Sequence, residues 1–175
     1  MKRGLLLVVL ILVALAFAVP SYAEKIAFVD VGKVFDGYEK TKENDSNLTA
    51  EGREKQKERD ALVSEVRKMK DEQALLSDKA KEEKQAAIDA KIRDLQEFDN
   101  RVRMDLGGRR DTIVKEIFAD IDTVIKNYGK QKGFDYVLNS RVVLYSNPQY
   151  DVTNDIMTEL NASFKQSAPA AKKKK

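Results

Sequence analysis

The chain has 175 residues, of which 35% are charged, and a formal net charge of +3. It contains no His, Cys or Trp, which excludes the usual zinc, copper and iron ligand sets, disulfides, and Ser–His or Cys–His nucleophile pairs. No GxxxxGK[ST] loop offers an ATP site, and adjacent acids such as Glu82 and Glu83 read as solvated helix surface, so neither an enzyme nor a cofactor or metal site is expected.

In chain order, Lys2 and Arg3 precede an apolar run from Leu5 to Val19, which Pro20 ends. Ser21 and Ala23 then place small residues before a cut. This is the pattern of a secretory signal peptide over residues 1–23, cleaved after Ala23, and the run is short for a membrane span of roughly 20 residues. An exported protein starting at Glu24 is expected. Lys25 to Asp30 is short, β-branched and aromatic, and reads as a buried strand. Asp30 is placed to cap a short helix whose apolar face is Val31, Val34, Phe35 and Tyr38. Asn44-Asp45-Ser46-Asn47 then weakens the helix, because such side chains compete for backbone hydrogen bonds. Residues 24–47 are assigned to a body.

From Thr41 to Tyr128 there is no proline and a high density of charge. Leu62, Val66 and Met69 recur at helical spacing, as do Ile88, Ile92, Leu95, Phe98, Val102 and Leu106. Ser77 or Asp78 is suited to start a second helix after Leu75-Leu76. The pattern predicts an antiparallel helical hairpin over residues 48–106 that turns near Ser77. Mirroring the chain about that turn sets Val66 against Ile88 and Leu62 against Ile92. The arm is then about 43 Å long at 1.5 Å per residue. Gly107-Gly108, each about 1 kcal/mol worse than Ala inside a helix, falls opposite Asn47-Leu48. Both helices would be weakest at one height, which predicts a hinge at Gly107 and Gly108.

Residues 107–166 return to the body. Ile113, Ile117, Phe118, Ile121, Val124, Ile125 and Tyr128 give the helix a docking face. Phe134 to Leu138 and Val142 to Tyr145, separated by Asn139-Ser140-Arg141, read as a β-hairpin ended by Asn147-Pro148. Asp151 or Thr153 caps a last amphipathic helix with Val152, Ile156 and Leu160 on its face. The first strand is expected beside the later pair in one small sheet, with Ile26, Phe28, Val29, Val137, Leu138, Val143 and Leu144 as body core or subunit contacts. Residues 167–175 read as a disordered tail ending in Lys172 to Lys175, able at most to touch anionic envelope surfaces weakly. The fold class is therefore α+β, mostly α, a small sheet body with a long protruding coiled-coil arm. So small a body is marginal as a lone core, which favours oligomers.

The sequence resembles the Skp family, the OmpH-like periplasmic chaperones. The resemblance rests on Lys25-Ile26-Ala27-Phe28-Val29-Asp30-Val31 with Val34-Phe35, on Gly133-Phe134-Asp135-Tyr136-Val137-Leu138, on Val143-Leu144-Tyr145, and on Asp151-Val152-Thr153 leading to Leu160-Asn161. It implies a homotrimer with three helical arms around a cavity that holds unfolded outer-membrane β-barrel proteins without ATP. The charge departs from the family. Members are often strongly basic, whereas here the arms balance both signs, so strong electrostatic capture of clients or of lipopolysaccharide is not expected.

Met69, Leu75 and Leu76 near the tip, with Met104 nearer the body, are the candidate client contacts, since scattered apolar side chains suit a partner without fixed shape. The plainer alternative is that they close the tip or complete the helix seam. A different class of function, an exported coiled-coil spacer or adhesion subunit, fits the arm but leaves the flanking strands unexplained. A nucleic-acid binder is disfavoured by the balanced charge.

Overall fold

A computed structural model of the protein describes residues 24–167; the expected signal peptide and the Lys172 to Lys175 tail lie outside these residues. The order is β1 (Ile26–Val29), α1 (Val31–Gly37), α2 (Glu39–Ala74), α3 (Asp78–Lys132), β2 (Tyr136–Asn139), two one-turn 3-10 helices (Ser140–Val142 and Pro148–Tyr150) and α4 (Thr153–Ser167). α2 and α3 form an antiparallel hairpin. At 1.5 Å per residue, their 36 and 55 residues make rods of about 54 and 82 Å.

β1 pairs with β2 in parallel, with Ile26 beside Tyr136 and Phe28 beside Leu138. The expected pairing of the first strand with the later segment is present. The expected β-hairpin is not: after β2 the chain turns through Ser140–Val142, and residues 143–145 form no strand. The other edge of β1 is already taken by Asp151, which bridges to Phe28, and by Val152, whose amide donates to the Phe28 carbonyl at 2.9 Å. Val143-Leu144-Tyr145 has the composition of a strand, but Asn139 accepts from the Arg141 amide at 3.1 Å and starts a one-turn helix after β2, so the segment is not folded back along β2.

Period-2 alternation sorts the strands. Ala27 and Val29 are buried, and they pack with Val34, Tyr38, Ile117, Ile121, Val124, Tyr128, Val152, Ile156 and Leu160 into the body core. Val137 packs against it from β2. Of the residues expected as body core or subunit contacts, Val29 is buried, whereas Leu144 is fully exposed and Val143 is half-buried. Gly133 ends α3 in the left-handed conformation at φ 69°, which glycine adopts without a Cβ penalty. The Phe134 amide then donates back to the Gly129 carbonyl at 2.9 Å.

Asp30 accepts from the Lys33 amide at 3.0 Å, as its capping role predicts, and its own amide donates to Thr153 Oγ1 at 2.9 Å. Asp151 caps α4 by accepting from the Thr153 amide at 2.8 Å. The start of α2 differs from expectation. It begins at Glu39, well before Leu48, and runs unbroken through Asn44 to Asn47. Its cap comes from far along the chain: Asn161 Oδ1 accepts from the Glu39 amide at 2.8 Å, and Asn161 Nδ2 donates to the Gly37 carbonyl at 3.3 Å. Asp120 fastens the same corner by accepting from Tyr38 Oη at 3.2 Å and from Lys40 Nζ at 2.9 Å. Two turns farther along α3, Tyr128 Oη donates to Asp155 at 2.6 Å.

Asn161→Ala removes the cap of α2 and should lower stability by about 1–2 kcal/mol in urea denaturation followed by circular dichroism, with Asn161→Asp retaining the acceptor and most of the stability. Burial, then the adjacent carboxylates, push Tyr38 and Tyr128 up to about 12. Both phenols stay protonated in the folded protein while an unfolded chain ionises them near 10. Their contribution is complete below pH 10 and is lost as pH rises toward 12. A tyrosinate absorbance step near pH 12 that coincides with loss of helicity is expected, and the Tyr38→Phe/Tyr128→Phe variant should lack it.

Candidate functional site

Two surfaces can engage a partner: the arm, and the sheet face turned away from the core. At the tip, Ala74 ends α2 and Ser77 precedes α3 in extended conformation, as the expected turn requires. The Gln73 side chain closes the turn by donating to the Lys81 carbonyl and to Gln85 Oε1, both at 2.9 Å. Leu75 stands 88% exposed at the apex and Leu76 37% exposed. Met104, on the side of α3, is 77% exposed, whereas Met69 is half-buried on the helix seam. The four candidates are thus spread along the arm. They form no single patch, and Met69 belongs to the seam.

Ion pairs set the register of the arm: Glu72 with Lys84 at 2.6 Å, Glu65 with Lys91 at 3.0 Å, Arg59 with Asp99 at 2.9 Å and Glu51 with Arg109 at 3.1 Å. Mirroring about Ser77 would have placed Glu65 opposite Asp89, Arg59 opposite Leu95 and Glu51 opposite Arg103. The true partners lie progressively farther toward the body. Side chains lean toward the N-terminus of their own helix, so head groups meet across the seam from backbone positions offset in this direction, and Gly107-Gly108 packs beside the part of α2 that follows Asn47-Leu48. It lies near Glu51 and Gly52, and a Cβ on Gly52 would meet Leu106 Cδ1 at 4.0 Å. Three glycines share this level, all within continuous helix. Gly107 and Gly108 face open space, so no close helix contact requires them.

Each exposed ion pair contributes only about 0–1 kcal/mol, so the seam depends on its apolar contacts. These are few: Ile88 is the one buried side chain of residues 48–106. The hydrogen bond from Lys84 holds the Glu72 carboxyl below the usual carboxylate range, with the lysine charge adding to it. Among the described residues no group of three or more acids is arranged to hold a metal ion, and no helix is long and apolar enough to cross a membrane.

On the body, Ile26 and Phe28 alternate away from the core and are joined by Tyr136 and Leu138. Phe134 and Tyr150 extend this face around an open cleft of about 670 Å³. Val142, Leu144 and Tyr145 project nearby in the chain at 75%, 109% and 81% exposure. A contiguous apolar face of this kind marks an interaction surface. Charged side chains at its border are few, with Glu24 and Lys25 on the lining of the cleft.

The architecture is a two-stranded parallel body whose crossover is a long helical arm. The sequence matches the family model for outer membrane protein (OmpH-like) over residues 25–160, and the chain belongs to that family. The crystal structure of a candidate outer membrane chaperone (OmpH-like) from Caulobacter crescentus CB15 has the same fold, with a TM-score of 0.69 and 17% identity over 81% of this chain and 86% of that one. No curated protein matches the sequence.

The sequence reading missed Asn161, Asp120 and Asp155 as the groups that tie the arm to the body. A faint signal existed: each lies on a predicted helix beside an apolar face, but only the fold supplies its partner. Because Leu75 and Met104 make few contacts, Leu75→Ser and Met104→Ser should change stability by less than about 0.5 kcal/mol in thermal denaturation. A larger loss would reassign them to the packing of the arm.

Proposed function

We propose that the protein is an ATP-independent periplasmic holdase that keeps unfolded outer-membrane β-barrel proteins from aggregating, in a cavity bounded by the arms of a homotrimer. The observation that carries this reading is the pairing of a long, thinly sealed arm with an apolar body face that the single chain leaves open. The body face fits contact between copies. Ile26, Phe28, Tyr136 and Leu138 form half of a core, and among the described residues β2 has a free edge and Val142 to Tyr145 has strand composition without a strand partner. Several copies meeting there would bury the face and leave the arms projecting from one end.

The arm fits weak, distributed contact with a chain of no fixed shape. Leu75, Leu76 and Met104 are exposed singly, and each such contact gains only roughly 25 cal/mol per Å² buried, enough in number to retain a client and too little individually to impose a structure. The glycine level at Gly52, Gly107 and Gly108 is the proposed hinge that adapts the cavity to clients of different size. The relative from Caulobacter is described as an outer membrane chaperone, which supports the assignment. The work is non-enzymatic, and nucleic acid is not a partner. The expected export signal supports the periplasm as the site of action.

The test dilutes a urea-unfolded barrel protein into buffer with and without the cleaved protein. Suppressed light scattering is expected, and unchanged scattering would favour the spacer or adhesion reading. The Leu75→Ser/Leu76→Ser variant should suppress aggregation less well at equal concentration, and undiminished protection would remove the tip from the client surface. Native mass measurement should return three chains per assembly. Gly107→Ala/Gly108→Ala should narrow the inter-arm distance distributions of spin labels near Leu75, and unaltered distributions would refute the hinge.

A further inference from the structure

The ion pairs Glu51–Arg109 and Arg59–Asp99 bracket a level of the arm at which the two helices do not match. Between Leu48 and Leu62, α2 carries no apolar side chain larger than alanine. α3 presents Phe98, Val102 and Leu106 there, all half-buried. Gly52 and the side chains of Lys55 and Arg59 lie across from them. The result is an apolar ridge open on both flanks. One flank is a cleft of about 440 Å³ bordered by Lys55, Arg101 and Asp105, and the other is a cleft of about 410 Å³ bordered by Arg59, Asp99 and Arg103.

The charges around these clefts are unequal in their availability. Asp105 is held by Arg109 at 3.0 Å and Asp99 by Arg59 at 2.9 Å. Lys55 is held by Glu58 at 3.0 Å. Arg101 and Arg103 have no ion-pair partner among the described residues. The acids of the rim are therefore already neutralised, while each cleft keeps a free guanidinium at its mouth. The surface is complementary to an apolar group accompanied by a carboxylate.

The geometry points to a docking groove for an extended, unfolded segment in which an aromatic side chain enters the cleft and an acidic side chain meets Arg101 or Arg103. In an extended chain the residue two positions on lies about 7 Å away on the same side, which lets one segment make both contacts. An aromatic side chain removes about 150–250 Å² from water, more than an aliphatic one, and it fills a gap that α2 leaves unfilled. This rests on the holdase reading and narrows its client surface to the lower arm, beyond the tip residues Leu75 and Leu76.

The protein has no tryptophan, so a short unstructured peptide with one Trp and a Glu two residues on supplies all the tryptophan emission of a mixture. A control peptide carries Lys in place of the Glu. The wild-type protein should shift the emission to the blue and bind the Glu peptide more tightly than the Lys peptide. Lys55→Leu gives α2 the missing apolar partner. It should weaken the Glu peptide by roughly tenfold, the change that about 1.4 kcal/mol produces, while keeping helix content. Val102→Ala, which shortens the ridge without changing charge, should weaken it in the same direction. Arg101→Glu/Arg103→Glu should reverse the preference between the peptides. If all three variants bind both peptides as the wild type does, the groove is refuted, and suppression of barrel-protein aggregation by the same samples would show that the holdase reading survives it. If the wild type binds the Glu peptide in a Lys55→Leu-sensitive way yet leaves aggregation unchanged, the groove stands and the holdase reading falls.

Discussion

The parallel pairing of β1 with β2 is the constraint from which the rest of the architecture follows. Parallel neighbours cannot be joined by a tight turn and need a crossover, and here the whole arm is that crossover. The chain leaves the C-terminal end of β1, travels out along α2, and must re-enter at the N-terminal end of β2. An antiparallel hairpin of equal helices would bring it back at the wrong end. α3 with 55 residues exceeds α2 with 36, and the surplus spans about 28 Å at 1.5 Å per residue. That surplus carries Ile117, Ile121, Val124 and Tyr128 across the buried face of the sheet. One long helix thus serves as half of the arm and as the main wall of the body.

The arm can be rigidly attached only if its base resists the leverage of its length. Packing at the base is supplemented by polar ties that cross between elements: Asn161 to the α1–α2 junction, Asp120 to Tyr38 and Lys40, Asp155 to Tyr128, and Lys165 to Glu39 at 2.8 Å. Aromatic contacts reinforce them, with Tyr38 edge-on to Phe164 at 5.7 Å and Phe35 stacked on Phe118 at 5.3 Å. Hydrogen bonds of this partly buried kind fix direction more than they add net stability. They align α2 where its own sequence, with Asn44 to Asn47 early in the helix, has low intrinsic preference to continue.

Much of this was legible before the fold was known, and the failures have physical causes. β1, the capping role of Asp30, the turn at Ser77 and the long helical pattern depend on local periodicity and local hydrogen bonding, which sequence states directly. The start of α2 depends on Asn161, 122 residues away from Glu39, and no local pattern records that. Val142 to Tyr145 was misread because strand composition reports suitability for a sheet, whereas pairing also needs a turn that folds the segment back, and Asn139 starts a one-turn helix there instead. The ion-pair partners along the arm were not legible because mirroring compares backbone positions alone. Side chains in α-helices lean toward the N-terminus, and long Arg and Lys stems reach past the mirrored position. On the candidate site, composition revealed the exposed Leu75 and Met104 but not the opening at Phe98, Val102 and Leu106, which exists only through what α2 lacks at the true register.

That lack joins two properties of the lower arm in one cause. Packing a leucine of α2 against the α3 ridge would close the clefts and stiffen the arm together, since the same buried contact removes the apolar surface and couples the helices. Gly52, Lys55 and Arg59 do neither. They leave α3 with apolar area that only another chain can cover, at the level where Gly107 and Gly108 weaken the α3 helix most. Low helix preference and uncovered apolar area therefore fall at one level of the arm. A bound segment lying along the ridge would supply the missing half of the seam and make the lower arm stiffer when occupied than when empty.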